Sequence, residues 1–415
     1  MPRLKSFSKT ISVGILVAAT GVGAGDIVMA SLAGARYGVI LLWAAIIGGL
    51  LKYILNEGLA KWDIATGTTL IQGWIQRLPR IIAIYFGGYL IFWAFLVAGT
   101  LITYTGVVAN TLFPLGFADN VSTTIWGGIH SLAAVGLIYA GGYRWVETFM
   151  KFCIGLMFLV VLVSAVLVCP SWSEVLLSIV YPRLPADTNS LLFVFALIGG
   201  IGGSLTILCY SYWLKESRSA EVVTIQEVRI DLGVAYFLTV LFGMAIMIIS
   251  AGVSPEEAGG YQLVIAIAEE LGNVLGNFGK WSFIIGFWGA VFSSMLGVWN
   301  GVPYLFTDFI QQFLVQQPSN KQPAPVSTHS FYYRAFLAYI ALPPLLLTMF
   351  GKPAWIGVAY SIAGAFFMPF LAALLLYMNN KRAWVGSFKN NWLANLLLVL
   401  SLLLFLLLFL EKLRS

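Results

Sequence analysis

The sequence predicts an all-α integral membrane protein with about eleven transmembrane helices in two five-helix halves. Of its 415 residues, 60% are hydrophobic and 10% are charged, and the mean hydropathy is +0.90. Apolar segments of 18 or more residues recur along the chain, each long enough to cross a hydrocarbon core of about 30 Å as a helix. Glycines interrupt two of these segments, at residues 21–25 and 199–203. This composition excludes a soluble protein.

The predicted spans fall into two repeats within one transmembrane domain, residues 1–415. The first repeat, about 11–169, contains spans 11–34, 37–60, 82–111, 122–140 and 146–169. The second, about 190–378, contains spans 190–213, 229–251, 281–305, 331–350 and 354–378. An extra helix follows at about 392–410. Five helices per half place the halves in opposite orientations, which is the inverted repeat of many ion-coupled transporters.

The basic residues predict the orientation, because short cytoplasmic loops carry the excess of lysine and arginine. Most of them, including Arg77, Arg80 and Lys151, fall on the side of the N-terminus. We therefore predict a protein of the cell membrane with a cytoplasmic N-terminus and an external C-terminus. This bias accounts for the net charge of +6, so the expected partner is the lipid bilayer and no nucleic acid. The oligomeric state stays open.

The chain also contains two polar stretches and a few isolated cysteine and histidine side chains. Residues 311–330 predict a flexible cytoplasmic linker, and residues 254–279 predict an external amphipathic helix. The apolar surroundings of the three cysteines predict packing thiols, and His130 is interpreted as a packing residue; the cysteines are Cys153, Cys169 and Cys209. No nucleophile, base and orienting group recur with recognisable spacing, so we predict neither enzymatic activity nor a resident cofactor.

The two glycine interruptions predict a substrate site. Inside a membrane every backbone polar group must be satisfied, so a broken helix persists where the freed groups line a cavity or bind a ligand. Paired breaks in two halves indicate the substrate site of a secondary transporter. The alternative is that these glycines only allow close helix packing. Asp26 favours the functional interpretation, because an ionisable residue within a span is functional by default.

Several motifs resemble a known family. They are Ala33-Gly-Ala-Arg-Tyr-Gly-Val-Ile-Leu-Leu-Trp43 and Ile64-Ala-Thr-Gly67, with weaker similarity at Asn110–Phe113 and Phe367–Phe370. They resemble the natural resistance-associated macrophage protein (NRAMP) family of divalent-metal transporters. The resemblance implies a leucine-transporter-type (LeuT) fold with broken first and sixth helices, and transport of a metal ion or other small substrate by alternating access.

The sequence departs from the family at both breaks. Where the family has Asp-Pro-Gly-Asn, this chain has Gly23-Ala-Gly-Asp26, and the family's Ala-x-x-Met-Pro-His falls on Gly203–Leu208. Thr206 thus replaces the thioether, and Leu208 replaces the histidine. Carboxylate and hydroxyl oxygens favour a hard ion such as Mg²⁺ or Mn²⁺. The site implied by the resemblance consists of Asp26, Gly23, Thr20, Gly203, Thr206 and Ser361.

The coupling ion is also in question. The acidic residues that serve proton movement in the family fall on Ala98 and Leu101, so we expect transport without the usual proton coupling. The alternative is a sodium-coupled transporter of a small organic or inorganic anion, with Na⁺ held by Ala290, Ser293 and Ser294. Those small residues are also typical of plain helix packing. A non-transporting sensor or channel-like protein is a third class.

Lys52 is a charge inside a predicted span. One interpretation makes it a gating charge or the counter-ion of an acid such as Asp26. The other makes it a lysine that snorkels towards the cytoplasm, or a partner of Asn56. Glu57 and Lys61 are spaced for an i,i+4 ion pair.

Overall fold

A computed structural model describes residues 12–187, 189–217, 223–253, 263–315 and 326–414, and no strand occurs among them. The helices are α1 Ser12–Gly21, α2 Ala24–Tyr37, α3 Leu42–Thr66, α4 Leu70–Arg77, α5 Arg80–Leu112, α6 Asp119–Val168, α7 Trp172–Val180, α8 Ser190–Gly200, α9 Tyr210–Ser217, α10 Ile225–Ser250, α11 Leu263–Val315, α12 Phe331–Ala341, α13 Leu345–Thr348, α14 Pro353–Met378, α15 Arg382–Val385 and α16 Trp392–Arg414. Two short 3₁₀ helices occupy Leu205–Cys209 and Gly386–Phe388.

The described helices agree with most predicted spans. Within the described ranges nine helical segments are long and apolar enough to cross a membrane, with α6 counted as two segments and α8 to α9 as one. The number is ten if the bent pair Arg382–Phe388 and Trp392–Leu407 counts as one span. The predicted span 11–34 consists of two short helices, α1 and α2. Predicted spans 122–140 and 146–169 both fall on the single helix α6, which ends one residue earlier, at Val168. The total of eleven spans and the repeat bounds stay predictions.

The segment before the eighth predicted span differs from the prediction. Helix α11 begins at Leu263, bends at Gly276, where φ is +66°, and continues to Val315. The predicted external helix is therefore, from Leu263 onwards, the first part of α11; residues 254–262 lie outside the described residues. The predicted linker 311–330 was wrong at its start, because 311–315 are helical, while 316–325 also lie outside the described residues.

The two broken helices lie at the centre of the molecule. Helix α1 packs on α10 and α11, and α8 packs on α14, α2 and α3. Both are apolar on all sides; in α1, for example, Val13, Leu16 and Ala19 are fully or almost fully buried. A helix that is hydrophobic all round is expected in the interior rather than at a surface. Their composition therefore places the breaks where other helices surround them.

His130 and the described cysteines contact apolar or aromatic neighbours. The Nδ1 atom of His130 lies 2.8 Å from the Trp126 carbonyl, and the Trp288 indole donates to Nε2 at 3.0 Å. Together these partners fix the tautomer with its proton on Nδ1. Cys209 is buried and free, and Cys169 is free and partly exposed; the side chain of Cys153 lies outside the described residues. These positions agree with the predicted packing roles.

Asp187 ties the loop before α8 to the end of α2. Its Oδ2 accepts hydrogen bonds from Arg36 at 3.0 Å and from the Tyr37 hydroxyl at 2.8 Å. These hydrogen bonds, with that of Tyr37 the largest influence, hold the pKa of the carboxyl below its usual value. A lowered folded-state pKa stabilises the protein above the unfolded-state pKa, and this contribution disappears as the pH falls through the folded-state value.

We therefore expect Asp187→Asn to lower the unfolding temperature slightly at pH 7, because Asp187 is partly exposed. The difference from wild type should vanish as the solution is acidified below the carboxyl pKa. Thermal unfolding of both proteins in detergent across that pH range measures the effect. Equal unfolding temperatures at pH 7 would show that the contact does not stabilise this end of α2.

Candidate substrate site at the two helix breaks

The first break separates α1 from α2 at Val22 and Gly23. The Val22 N–H still donates to the Ala18 carbonyl at 2.6 Å, whereas the Gly23 N–H donates to Gly21 O at 2.8 Å in a tight turn. A Cβ atom on Gly23 would overlap the Ser294 hydroxyl of α11. Glycine is therefore required here by the close approach of α11.

The second break follows α8 and has a different backbone. Gly202 and Gly203 have φ values of +79° and +73°, a region that other L-residues occupy only at a cost. The chain then resumes as the 3₁₀ helix Leu205–Cys209 and continues as α9. A Cβ on Gly203 would overlap Thr206 Oγ1, so the hydroxyl of this predicted ligand lies against the break.

The two breaks touch each other. A Cβ on Gly21 would lie 2.9 Å from the carbonyl carbon of Gly202 and 3.0 Å from the nitrogen of Gly203. Two segments far apart in sequence thus bring their helix ends to one place. Free helix ends carry unpaired N–H and C=O groups and the partial charges of the helix dipole. Such a junction can hold an ion by backbone oxygens and nearby side chains.

Other predicted ligands lie around this junction. The Thr20 carbonyl accepts a hydrogen bond from Ser294 Oγ at 2.6 Å, and a Cβ on Gly297 would overlap the Thr20 hydroxyl. The Ser361 carbonyl lies beside Gly199 at the end of α8. Within the described part of the chain, the buried hydroxyls of Thr20 and Ser361 have no hydrogen-bond partner. Asp26 is the third residue of α2, but its side chain lies outside the described residues.

Apolar side chains fill the positions where the family has titratable groups. Ala98, Leu101 and Leu208 are all buried. A methyl carbon of Leu101 lies 3.7 Å from the place a Gly23 Cβ would take, so an apolar side chain faces the first break. Among the side chains that the structure describes, no group of three or more His, Cys, Asp or Glu residues could hold a metal. Binding of a metal would therefore depend on hydroxyls, carbonyls and Asp26.

Two buried polar residues were not singled out in the sequence: Ser204, at the second break, and Asp231, on α10. Ser204 is fully buried, and its hydroxyl accepts a hydrogen bond from the Trp93 indole at 2.8 Å. Asp231 of α10 accepts from the Gly14 N–H at 2.8 Å and from the Tyr210 hydroxyl at 2.9 Å, which links α10 to α1 and α9. Both could have been found from the sequence: Ser204 follows the second glycine run directly, and Asp231 is an acid within a predicted span.

Lys52 does not snorkel, and that interpretation was wrong. It is fully buried, and its ammonium donates to the carbonyls of Gly199, at 2.9 Å, and of Ile201. Asn56 donates instead to the Tyr236 hydroxyl, at 3.1 Å. The predicted ion pair of Glu57 and Lys61 is confirmed at 3.0 Å. The role of Lys52 as a gating charge or counter-ion of Asp26 stays a prediction.

The family comparison accounts for this geometry. The family described as natural resistance-associated macrophage protein-like matches residues 14–413. The chain belongs to this NRAMP family. A divalent metal cation transporter MntH from Verminephrobacter eiseniae is 26% identical over 229 residues, 53% of this chain and 50% of the relative. An MntH from Agrobacterium fabrum is 24% identical over 250 residues, 57% and 52% of the two chains.

The matched part of this NRAMP protein spans about half the length of those two curated relatives. Both are named as transporters, in agreement with the prediction that the chain is not an enzyme. Family and helices together make it a multi-pass membrane protein.

Solved structures show the fold. A manganese transporter from Eremococcus coleocola has a TM-score of 0.72 at 18% identity, over 98% of this chain and 87% of that one. MhsT in complex with L-phenylalanine has a TM-score of 0.63 at 16% identity, over 96% and 98%. The predicted all-α, leucine-transporter-type fold with two broken helices is thereby confirmed.

Proposed function

We propose that this NRAMP protein is a secondary transporter that moves a divalent metal cation across the cell membrane by alternating access. The observation that carries the proposal is the direct contact of the two breaks at Gly21, Gly202 and Gly203. In transporters with inverted repeats, the site lies between discontinuous helices at the repeat interface. The named activity of the curated relatives supports the same substrate class.

The proposed ligands are oxygens. Asp26 supplies the negative charge, Thr20, Gly23 and Gly203 supply carbonyl oxygens, and Thr206 and Ser361 supply hydroxyls. An unsatisfied buried hydroxyl costs about 1–3 kcal/mol, so the Ser361 hydroxyl would gain from the ion, and the Thr20 hydroxyl would gain from a water bound to it. A site made of oxygens favours a hard ion such as Mg²⁺ or Mn²⁺ over a soft one. In this proposal the ion is the substrate, and no resident cofactor is needed.

We further propose that protons do not drive transport by the family's usual route. The relevant positions are Ala98, Leu101 and Leu208, and none of these side chains can carry a proton. Moving protons through a low-dielectric interior requires titratable groups along the way. The excess of basic residues supports a cytoplasmic N-terminus and an external C-terminus.

One observation favours the alternative of a sodium-coupled transporter. Ser294 lies at the first break, against Gly23 and bonded to Thr20, as that alternative requires. The Ser293 hydroxyl, however, donates to the Ala290 carbonyl of its own helix at 2.9 Å. Ser294 contacts the break, whereas Ser293 bonds within its own helix, so we favour the metal.

Uptake into liposomes with Mg²⁺, Mn²⁺ and Cd²⁺, each with and without proton and sodium gradients, tests the proposal. Flux should follow the metal gradient, with little pH change, and replacing Ser293 and Ser294 by alanine should have little effect. Thr206→Met should move the preference towards Cd²⁺ by about tenfold, because a thioether is a soft ligand. Thr206→Val is the matched control, since it removes the hydroxyl without adding sulfur.

Two outcomes would contradict the proposal. Sodium-dependent uptake of an anion that is lost in the double serine variant would establish the alternative. Tight binding of Cd²⁺ by wild type, with none of Mg²⁺ or Mn²⁺, would exclude the hard-ion site.

A further inference from the structure

The buried ammonium of Lys52 lies at the second break. Lys52 projects from α3, and its ammonium donates to the carbonyls of Gly199, at 2.9 Å, and of Ile201. Gly199 belongs to the last turn of α8, and Ile201 follows its end. Helix interruption leaves such carbonyls without intrahelical donors, and the helix dipole adds partial negative charge at this end. The ammonium therefore occupies the position that a cation bound to the end of α8 would take.

The backbone around the lysine is shaped to admit it. A Cβ on Gly202 would lie 3.3 Å from Cδ of Lys52, so this left-handed glycine lies close to the lysine stem. Helix α3 packs directly on α8, which brings Lys52 to the break from the side. The side chain is fully buried. A charge in such a place requires compensating partners, and the two carbonyls provide them.

We propose that Lys52 is a tethered cation that permanently fills the carbonyl cup formed by Gly199 and Ile201. A bound Na⁺ or K⁺ would meet the same oxygen dipoles, so the covalently attached ammonium replaces a monovalent ion at this place. The cup is then closed to both the transported ion and a coupling ion. Lys52 thereby confines the substrate to the side of the break that carries Thr206 and the end of α1. The carbonyls at the end of α8 are then always occupied by a cation, whatever the concentration of monovalent ions in solution.

Chemical rescue tests this proposal without any transport assay. Lys52→Ala removes the ammonium and leaves a space that ethylammonium can enter. Without additions, its unfolding temperature in detergent should fall by about 5 °C, because a charge-assisted pair of hydrogen bonds is lost. Ethylammonium chloride should restore it saturably, whereas choline chloride at the same concentration, too large to enter, should not.

The matched control is Lys61→Ala. It removes the same charge from the same helix, but Lys61 pairs with Glu57 and not with break carbonyls. Its unfolding temperature should not respond to ethylammonium, and neither should that of wild type.

Three results would overturn the proposal. They are an equal response to ethylammonium in Lys61→Ala, no response in folded Lys52→Ala, and a wild-type unfolding temperature for Lys52→Met without added cation. Lys52→Ala could prove too unstable to purify without an added cation. In that case, successful purification in buffer that contains ethylammonium supports the proposal. If Lys52→Ala cannot be purified with or without ethylammonium, the unfolding temperature of Lys52→Met decides: a lowered value supports the proposal, and a wild-type value overturns it.

A second experiment measures metal uptake, and it rests on the proposed function. Wild-type uptake should not depend on Na⁺ or K⁺, whereas Lys52→Ala should become about tenfold faster when Na⁺ or ethylammonium is added. If the uptake rate of Lys52→Ala does not change when Na⁺ or ethylammonium is added, Lys52 does not act as a tethered cation. Rescue of stability in a protein that moves no metal would refute the proposed function and leave the role of Lys52 intact.

Discussion

Asp26→Ala is expected to abolish metal uptake, with a loss of about a hundredfold or more, while the protein stays folded. Asp26 supplies the only carboxylate of the proposed ligand set, and a divalent ion in a low-dielectric site depends strongly on an opposite charge. A side chain that lines a site contributes little to packing, so the unfolding temperature should change little. Uptake into liposomes and thermal unfolding of the same preparation measure both effects.

Asp26→Asn is the matched variant, since it keeps the volume and an oxygen ligand while removing the charge. We expect its uptake to lie between that of wild type and that of Asp26→Ala. If Asp26→Ala transports at the wild-type rate, the metal binds elsewhere and the proposed ligand set is wrong.

Gly203→Ala is expected to produce the second largest loss, in both stability and uptake. Its φ of +73° is unfavourable for alanine, and the new Cβ would overlap Thr206 Oγ1. The backbone strain costs about 1–3 kcal/mol, and the overlap must in addition displace Thr206 or open the break. The geometry of the junction would change, so uptake should fall by more than the loss of stability alone explains.

Two glycine controls separate these contributions. Gly67 has a φ of +68° with open space around its missing Cβ, so Gly67→Ala reports the backbone strain alone. Gly88 lies within α5 and also has open space, so Gly88→Ala should be neutral or slightly stabilising. If Gly203→Ala behaves like Gly67→Ala in unfolding and like Gly88→Ala in uptake, the second break does not form the substrate site.

Hydropathy and glycine position were sufficient to predict most of the described spans and both breaks. The cost of an unsatisfied backbone group in lipid is a local property, so it is visible in a single segment of sequence. Helix α11 shows the limit of such inference. A stretch with an amphipathic pattern precedes an apolar one, and no local pattern indicates that one helix continues through a bend at Gly276. The short helices α4 and α7 were missed because each is below the length of a span.

The candidate site was predictable as a list of residue types but not as a set of contacts. The sequence places Thr20 beside the first break, yet only the packing of α11 on α1 directs the Ser294 hydroxyl to the Thr20 carbonyl. Ser204 likewise has a role only because α5 brings Trp93 within hydrogen-bond distance. Contacts between residues more than a hundred positions apart depend on how helices pack, which the local sequence does not specify.

Lys52 shows the difference between what the sequence determines and what only the tertiary structure determines. The sequence by itself determined that this NRAMP protein is helical, lies in a membrane, and carries two broken helices with an unusual set of candidate ligand residues. It left Lys52 with two opposite roles, because a lysine within a span can reach either water or an interior partner. The packing of α3 on α8 excludes the contact with water, because it buries the ammonium against carbonyls that the second break had freed; the gating role stays a prediction.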